Sequence, residues 1–143
     1  MTRSPKGKPN FNICTYVMAI SRKPKLYAIA LQSNTLSCDN LLGSEMAVLM
    51  HLHTDHSQWI SRLGKKSGRS YDKFRSLKRQ NQLDQWKSHP VIKGCLSYVE
   101  LQKTNVETTG DHHLFTFKVS GYSTRLEGSG LTYDHLVKQG LIL

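Results

Sequence analysis

Residues 60–77 read I-S-R-L-G-K-K-S-G-R-S-Y-D-K-F-R-S-L, and this stretch is the most informative part of the chain. The pattern predicts a short helix that stops at Gly64, followed by a Ser-Gly-Arg turn among fixed cations. The turn combines a hydroxyl on Ser67, a conformationally permissive Gly68 and a planar guanidinium on Arg69, which together suit the binding of a phosphate. The segment therefore makes a phosphorylated ligand the first hypothesis to test.

Length and composition predict one globular domain over residues 1–143. The 143 residues are 38% hydrophobic and 21% charged, and no run approaches the ~20 apolar residues of a membrane helix. The N-terminus lacks the apolar region of a secretory signal. Three cysteines, Cys14, Cys38 and Cys95, are odd in number and far apart, which is typical of a reducing compartment. We therefore expect a cytoplasmic protein without a membrane segment.

The charge distribution leaves three interpretations open. The formal net charge is +10, and residues 62–79 contain eight Lys or Arg residues against one acid, Asp72. Such a stretch is compatible with a solvated basic face, with polyanion binding, or with a small phosphate ligand. Charge alone does not choose among them.

The first half of the chain has mostly strand periodicity. Residues 11–20, 26–31 and 47–52 are predicted as strands of one buried sheet or barrel. Between the second and third strands, the polar stretch leads into a predicted helical turn at residues 40–44. After the third strand, Thr54 is predicted to cap the helix that ends at Gly64 and lies across a barrel opening.

The second half repeats the strand pattern. Residues 95–102 and 114–120 alternate apolar and polar side chains, and Phe115 and Phe117 fall on one face of the second run. Tyr71, Phe74 and Leu77 are spaced by three and predict a short helix packed onto the barrel, although a stacking platform for nucleic acid is the alternative. A final helix is predicted to begin at Thr132 or Asp134 and to end at Gly140. The fold class expected is mainly β with short helices, arranged as a small barrel.

Five blocks in this order resemble the flavin reductase-like family. They are N-F-N-I-C-T-Y-V-M-A-I-S-R-K-P-K-L-Y-A-I-A-L at 10–31, N-T-L-S-C-D-N-L at 34–41, L-G-K-K-S-G-R-S-Y-D-K at 63–73, G-D-H-H-L-F at 110–115 and L-T-Y-D-H-L-V-K-Q-G at 131–140. The block with S-G-R-x-x-D-K is the sharpest of the five. The resemblance implies an FMN-binding split β-barrel of Greek-key-like topology, usually a homodimer.

The resemblance further implies noncovalent FMN in a groove of the barrel. The residues that we expect to bind the phosphate share hydroxyls, a permissive backbone or a positive charge: Ser33, Thr35, Ser37, Ser67, Gly68 and Arg69. The wall for the flavin ring is expected along residues 12–21, with Thr15, Tyr16 and Ser21 as candidates. Lys73 is a second cation that could stabilise the reduced ring, or it could pair with Asp72.

The activity that the resemblance implies is electron transfer from NAD(P)H to flavin or to a downstream small-molecule acceptor. The family pattern carries over to His112 a position on the nicotinamide side, although a hydrogen-bonded structural role is the alternative. Two other functions stay open: flavin binding without efficient turnover, and a basic module that binds a polyanion such as nucleic acid.

Three further observations concern departures from the family and a competing site. Only six residues precede Gly7, so the usual first strand is expected to be short or absent, leaving an edge for a partner subunit. Ser70 and Tyr71 stand where an acid and an aliphatic residue are common in the family, which makes the site more cationic. His51, His53 and His56 form H-x-H-x-x-H, but no Cys or carboxylate completes a familiar set, so no metal is expected.

Overall fold

The computed structural model describes residues 1–141, which form an antiparallel seven-stranded sheet with a separate hairpin and short helices. The main sheet has the order β2-β1-β5-β8-β9-β4-β3. Its strands are β1 Thr2–Arg3, β2 Pro9–Asn10, β3 Val17–Arg22, β4 Lys25–Gln32, β5 Met46–His51, β8 Ser97–Thr109 and β9 His112–Thr124, while β6 Leu83–Trp86 and β7 His89–Ile92 form the hairpin. The helices are α1 Leu36–Leu42, a 3-10 helix Thr54–Trp59, a π-helix Ser61–Lys65, α2 Lys73–Arg79 and α3 Tyr133–Lys138. The predicted class, mainly β with short helices, is confirmed.

Two apolar clusters fill the interior, and β8 contributes to both. Tyr98 packs in a cluster with Phe11 and Leu77, whereas Val99 packs in a cluster with Phe115. A register shift between Glu100 and Leu101 interrupts the simple alternation that the sequence predicted for β8. The predicted inward face of β9 is present, since Phe115 and Phe117 are both fully buried.

The predicted strand over residues 11–20 forms only in part. Sheet pairing begins at Val17, and Phe11 instead places its side chain in the core, 2% exposed. The N-terminal part of this stretch therefore contributes to core packing through Phe11, and only residues from Val17 onwards pair as a strand. The hairpin of β6 and β7 was not predicted, because its turn uses Lys87 at φ 52° rather than Gly or Asn.

The predicted helix boundaries need correction in three places. Helix α1 spans Leu36–Leu42 rather than residues 40–44, because the Thr35 hydroxyl accepts a hydrogen bond from the Cys38 N–H at 3.3 Å and caps it. The 3-10 helix is capped by His53, whose Nδ1 accepts from the Asp55 N–H, and not by Thr54. Gly64 does not end a helix but lies inside the π-helix, which runs to Lys65.

The N-terminal segment joins the sheet through a two-residue strand. Thr2 pairs with Ala47 of β5 on one side and with Asn10 of β2 on the other. The Met1 amino group donates a hydrogen bond to the Val48 carbonyl at 2.6 Å. Within residues 1–141, no helix has the length and apolar character needed to cross a membrane.

Leu101 and Leu126 form a matched pair for testing which leucines the core requires. Leu101 is fully buried, whereas Leu126 is 49% exposed. We expect Leu101→Ala to lower the free energy of unfolding by about 2–5 kcal/mol, because it leaves a cavity between the sheet and α1. Leu126→Ala should change it by less than about 0.5 kcal/mol. Urea denaturation followed by circular dichroism measures both, and equal losses would contradict this assignment of the core.

Candidate functional site

A polar cavity of about 260 Å³ lies between two loops that are far apart in sequence. One loop connects β4 to α1, and the other follows the π-helix. The residues that line the cavity carry amides, hydroxyls or ammonium groups; they include Asn10, Asn12, Asn34, Thr35, Ser37, Lys65, Lys66, Ser67, Gly68 and Lys73. Both loops singled out in the sequence therefore face one space.

Gly68 forms one wall of this cavity by close contact with Asn10. A Cβ atom at Gly68 would lie 2.6 Å from Asn10 Oδ1 and 3.1 Å from Leu36 Cδ2, so only glycine fits without displacing its neighbours. The Asn10 amide is fixed on its other side, where Nδ2 donates to the Ser37 hydroxyl at 3.0 Å. The wall is thus a continuous contact from α1 through β2 to residues 64–68, which comprise the end of the π-helix and the start of the loop after it and are called the 64–68 loop below.

Lys73 contributes a buried positive charge to the same cavity. Its side chain is 3% exposed and its Nζ donates to the Leu63 carbonyl in the π-helix at 2.5 Å. Burial lowers the pKa of Lys73 to about 8. Pairing with Asp72 was the alternative in the sequence, but Asp72 accepts from the Arg75 N–H at 2.9 Å and pairs with Lys8 at 3.2 Å.

The predicted hydroxyl groups do not all converge. Thr35, Ser37 and Ser67 line the polar cavity, and Ser67 Oγ also accepts from the Arg69 N–H at 3.2 Å. Ser33 does not line it, because its hydroxyl is hydrogen-bonded to Nδ1 of His113 at 3.0 Å. The prediction that Ser33 joins the other hydroxyls is therefore not supported by its position.

Arg69 follows Gly68 in the chain, but it is not among the residues that line the polar cavity, and it is paired. Its guanidinium contacts the Asp39 carboxylate of α1 at 2.6 Å, and the side chain is about half exposed. No sequence pattern indicates this pair, because Asp39 lies thirty positions earlier, in another element. The salt bridge ties the residue after Gly68 to α1.

An apolar cavity, also about 260 Å³, adjoins the polar one and shares Asn12 and Ser37 with it. Its walls come from residues 11–15, β4, β5 and α3, and include Ile29, Val48, Leu101 and Leu136. Within the described chain, the backbone N–H groups of residues 12–15 make no hydrogen bond to another residue. An apolar slot with free backbone donors therefore continues from a polar, cationic pocket.

The profile of the flavin reductase like domain matches residues 1–140. The chain belongs to this family. The match covers nearly the whole chain, including the segments that line both cavities. No curated protein matches the chain.

Solved structures share the fold of this flavin reductase-like domain at low sequence identity. The FMN-binding protein of Thermus thermophilus with bound p-hydroxybenzaldehyde has 22% identity and a TM-score of 0.75, with 86% of this chain and 67% of that one covered. The NADH:FAD oxidoreductase SgcE6 of Streptomyces globisporus C-1027, in complex with NAD and FAD fragments, has 16% identity and a TM-score of 0.76, with 90% and 74% covered. Flavoredoxin of Methanosarcina acetivorans has 13% identity and a TM-score of 0.73, with 84% and 63% covered. The predicted split-barrel fold is confirmed, and the chain spans about two thirds to three quarters of these structures' lengths.

The predicted ring-side residues of this flavin reductase-like domain fall in three places. Thr15 lines the apolar cavity. Tyr16 is 62% exposed, and its ring lies 5.4 Å from that of His112. Ser21 lies towards the far end of β3, in a shallow groove with Tyr27, so it reaches neither cavity. Its prediction assumed that all of residues 12–21 form one wall, whereas residues 17–22 are already paired with β4.

His112 begins β9 opposite Gln32, beside the outer end of the polar cavity. Its Nδ1 is hydrogen-bonded to the Asp111 carboxylate at 2.6 Å, and this bond lowers the pKa of Asp111. Its neighbour His113 faces Ser33 and the buried Cys38, a cluster that the sequence did not indicate.

The histidines of the H-x-H-x-x-H pattern bind protein groups. His51 is hydrogen-bonded to Ser97, and His56 Nε2 is hydrogen-bonded to the Lys93 carbonyl at 2.8 Å. No group of three or more His, Cys, Asp or Glu side chains in the described part of the chain is placed to hold a metal ion.

Proposed function

We propose that this protein is an FMN-binding oxidoreductase of the flavin reductase type, which passes electrons from NAD(P)H to flavin or to a downstream acceptor. Family membership supports this proposal, as do neighbours named as an NADH:FAD oxidoreductase and an FMN-binding protein. The observation that carries it is the pair of adjoining cavities, one apolar and one polar and cationic, joined at Asn12 and Ser37.

The two cavities fit the two chemical parts of FMN. The flavin ring is flat and largely apolar with a polar edge, which suits the apolar cavity and the free N–H groups of residues 12–15. The phosphate is an anion with several acceptor oxygens, which suits the hydroxyls of Ser37 and Ser67 and the charge of Lys73. The Thr35 hydroxyl also lines the cavity, but it donates to the Gln32 carbonyl at 2.8 Å. We therefore assign Thr15 to the ring side and the 64–68 loop to the phosphate side.

The protein's own part in the reaction is binding and electrostatics. When bound, the flavin supplies the redox chemistry. Backbone donors at residues 12–15 orient the ring edge, and buried Lys73 adds positive charge near the phosphate in a site that excludes much of the solvent. His112 and Tyr16 form the exposed aromatic surface on which we place the nicotinamide.

The shape of the polar cavity supports FMN rather than a longer dinucleotide as the resident cofactor. Gly68 forms a wall of the cavity against Asn10 and Leu36, and we place a terminal phosphate against this wall. A monophosphate ends there, whereas a diphosphate must continue into a second nucleotide. Neighbours of both kinds exist, since one is named as FMN-binding and another as an NADH:FAD oxidoreductase.

We also propose that the protein is a homodimer that uses the β3 side of the sheet. Strand β3 is the last strand of the sheet order and has an unpaired edge. On this strand, Met18 and Ile20 are 63% and 44% exposed. An open edge with exposed apolar side chains is typical of a surface that a partner covers. Sedimentation equilibrium of the purified protein measures the oligomeric state.

Cofactor extraction tests the function most directly. Protein purified at low salt is denatured, and the released small molecule is identified by mass spectrometry, after which NADH and NADPH oxidation is measured with added FMN. We expect FMN and measurable oxidation. Bound flavin without oxidation would indicate a flavin-binding protein without turnover, and a flavin-free protein with salt-dependent nucleic-acid retention would indicate a polyanion-binding module.

Replacing Arg69 should affect the phosphate end of the ligand selectively. Arg69→Ala removes the cation that follows Gly68, a residue of the cavity wall, and takes away the partner of the Asp39 carboxylate. We expect the Kd of FMN to rise by about tenfold or more, equivalent to about 1.5–3 kcal/mol, with a much smaller change for riboflavin. Fluorescence titration with both ligands measures the difference.

Arg22→Ala is the matched control, because Arg22 lies at the far end of β3 and its loss changes the net charge equally. It should leave both affinities nearly unchanged. An equal loss of FMN and riboflavin affinity in Arg69→Ala would remove Arg69 from the phosphate site.

Replacing His112 should affect turnover more than flavin binding. The ring of His112 lies 5.4 Å from the exposed Tyr16 ring, and His112 is not among the residues that line the polar cavity. We expect His112→Ala to lower kcat/KM for the nicotinamide by about tenfold or more, with an FMN Kd within about twofold of wild type. Stopped-flow measurement of flavin reduction separates the two effects, and unchanged reduction would place His112 outside the site.

A further inference from the structure

Lys73 is a buried cation without a carboxylate partner. It is 3% exposed, and its Nζ donates to the Leu63 carbonyl. No Asp or Glu oxygen in residues 1–141 lies within 4.0 Å of this ammonium group. A buried charge that is paired only with a neutral carbonyl is unfavourable, so its retention requires another source of compensation.

The charged groups around Lys73 provide no free negative charge. On the side of the polar cavity stand Lys65 and Lys66, both exposed. On the other side is a smaller cavity of about 80 Å³, where Lys73 meets Tyr71, Asp72 and Lys8. Asp72 is committed to Lys8 and to the Arg75 N–H, and Asp39 on α1 is committed to Arg69. The missing element at this site is therefore an anion.

We propose that Lys73 couples phosphate binding to proton uptake: the anion that enters the polar cavity supplies the missing charge, and at alkaline pH a phosphorylated flavin binds together with one proton. With flavin as the ligand, this inference rests on the proposed function. With inorganic phosphate as the probe, it does not.

The coupling has a defined sign. Burial lowers the pKa of Lys73 to about 8, so the ligand-free protein releases this proton as the pH rises through 8. A phosphate dianion beside the ammonium group raises the pKa again, and binding above pH 8 must therefore take up a proton. Affinity for FMN should then fall by about tenfold for each pH unit above 8. Riboflavin has the same ring but no phosphate, so the ratio of the two affinities isolates the effect.

Calorimetry of the wild-type protein measures the proton directly. Titrations with FMN, riboflavin and inorganic phosphate at pH 9 are performed in two buffers with different ionisation enthalpies. We expect uptake of most of one proton for FMN and for inorganic phosphate, and near zero for riboflavin, since a group with a pKa of about 8 is largely deprotonated at pH 9. At pH 7 the uptake for FMN should be close to zero.

Variants assign the proton to Lys73. Lys73→Arg keeps a charge that does not titrate, so FMN binding should lose its dependence on pH between 8 and 10. Lys73→Met should weaken FMN at pH 7 and abolish the uptake at pH 9. Lys65→Met is the matched control, because Lys65 lines the same cavity but is exposed, and it should retain the uptake.

The outcomes separate this inference from the proposed function. FMN binding at pH 9 without proton uptake, or uptake that persists in Lys73→Met, would overturn the inference while leaving flavin binding intact. Phosphate binding with uptake in a protein that binds no flavin would support the inference and overturn the proposed function. Failure of both FMN and phosphate to bind would overturn both.

Discussion

Residues 11–16 are fixed at both ends and unpaired between them, and both cavities depend on this arrangement. Phe11 is anchored in the core, and the Tyr16 carbonyl accepts from the Ala30 N–H at 3.0 Å. Backbone groups that leave a sheet need solvent or a ligand as hydrogen-bond partners. If the β3–β4 register continued through this segment, Thr15 would lie opposite Leu31 and its neighbours' N–H groups would be used in the ladder. The anchoring of Phe11 therefore keeps the slot open.

The same segment positions the second loop of the site. A Cβ at Gly68 would meet Asn10, and a Cβ at Gly64 would lie 3.5 Å from Ile13, so the 64–68 loop packs directly along residues 10–13. Lys73 Nζ also donates a hydrogen bond to the carbonyl of Leu63, the residue before this loop. Because the two glycines bring the backbone of this loop against the side chains of Asn10 and Ile13, the loop cannot shift without moving the wall of the apolar cavity. Residues 10–13 consequently link the geometry of the phosphate side to that of the ring side.

Sequence patterns predicted most of the strands. The contacts that they did not predict join side chains that are far apart in the sequence. Phe115 and Phe117 alternate because one face of β9 is buried, and such a period can be seen without tertiary information. The convergence of Ser67 with Thr35 in one cavity was also within reach, since both blocks carry the family pattern. The Arg69–Asp39 salt bridge and the Ser33–His113 hydrogen bond were not, because each joins elements 30 or 80 positions apart. Ser21 was misplaced since periodicity does not show where a chain enters its sheet.

The basic stretch at residues 62–79 illustrates why burial decides the meaning of charge. Exposed cations attract polyanions at long range, and salt screens that attraction. Within this stretch, however, Arg69 is paired with Asp39, Arg62 contacts Gln80 and the Trp59 ring, and Lys73 is buried. A buried ammonium group cannot reach the backbone of a nucleic acid, but it can meet a small anion that enters the cavity. The stretch that first suggested a polyanion surface thus contains, in Lys73, the residue that argues most strongly for a small phosphorylated ligand.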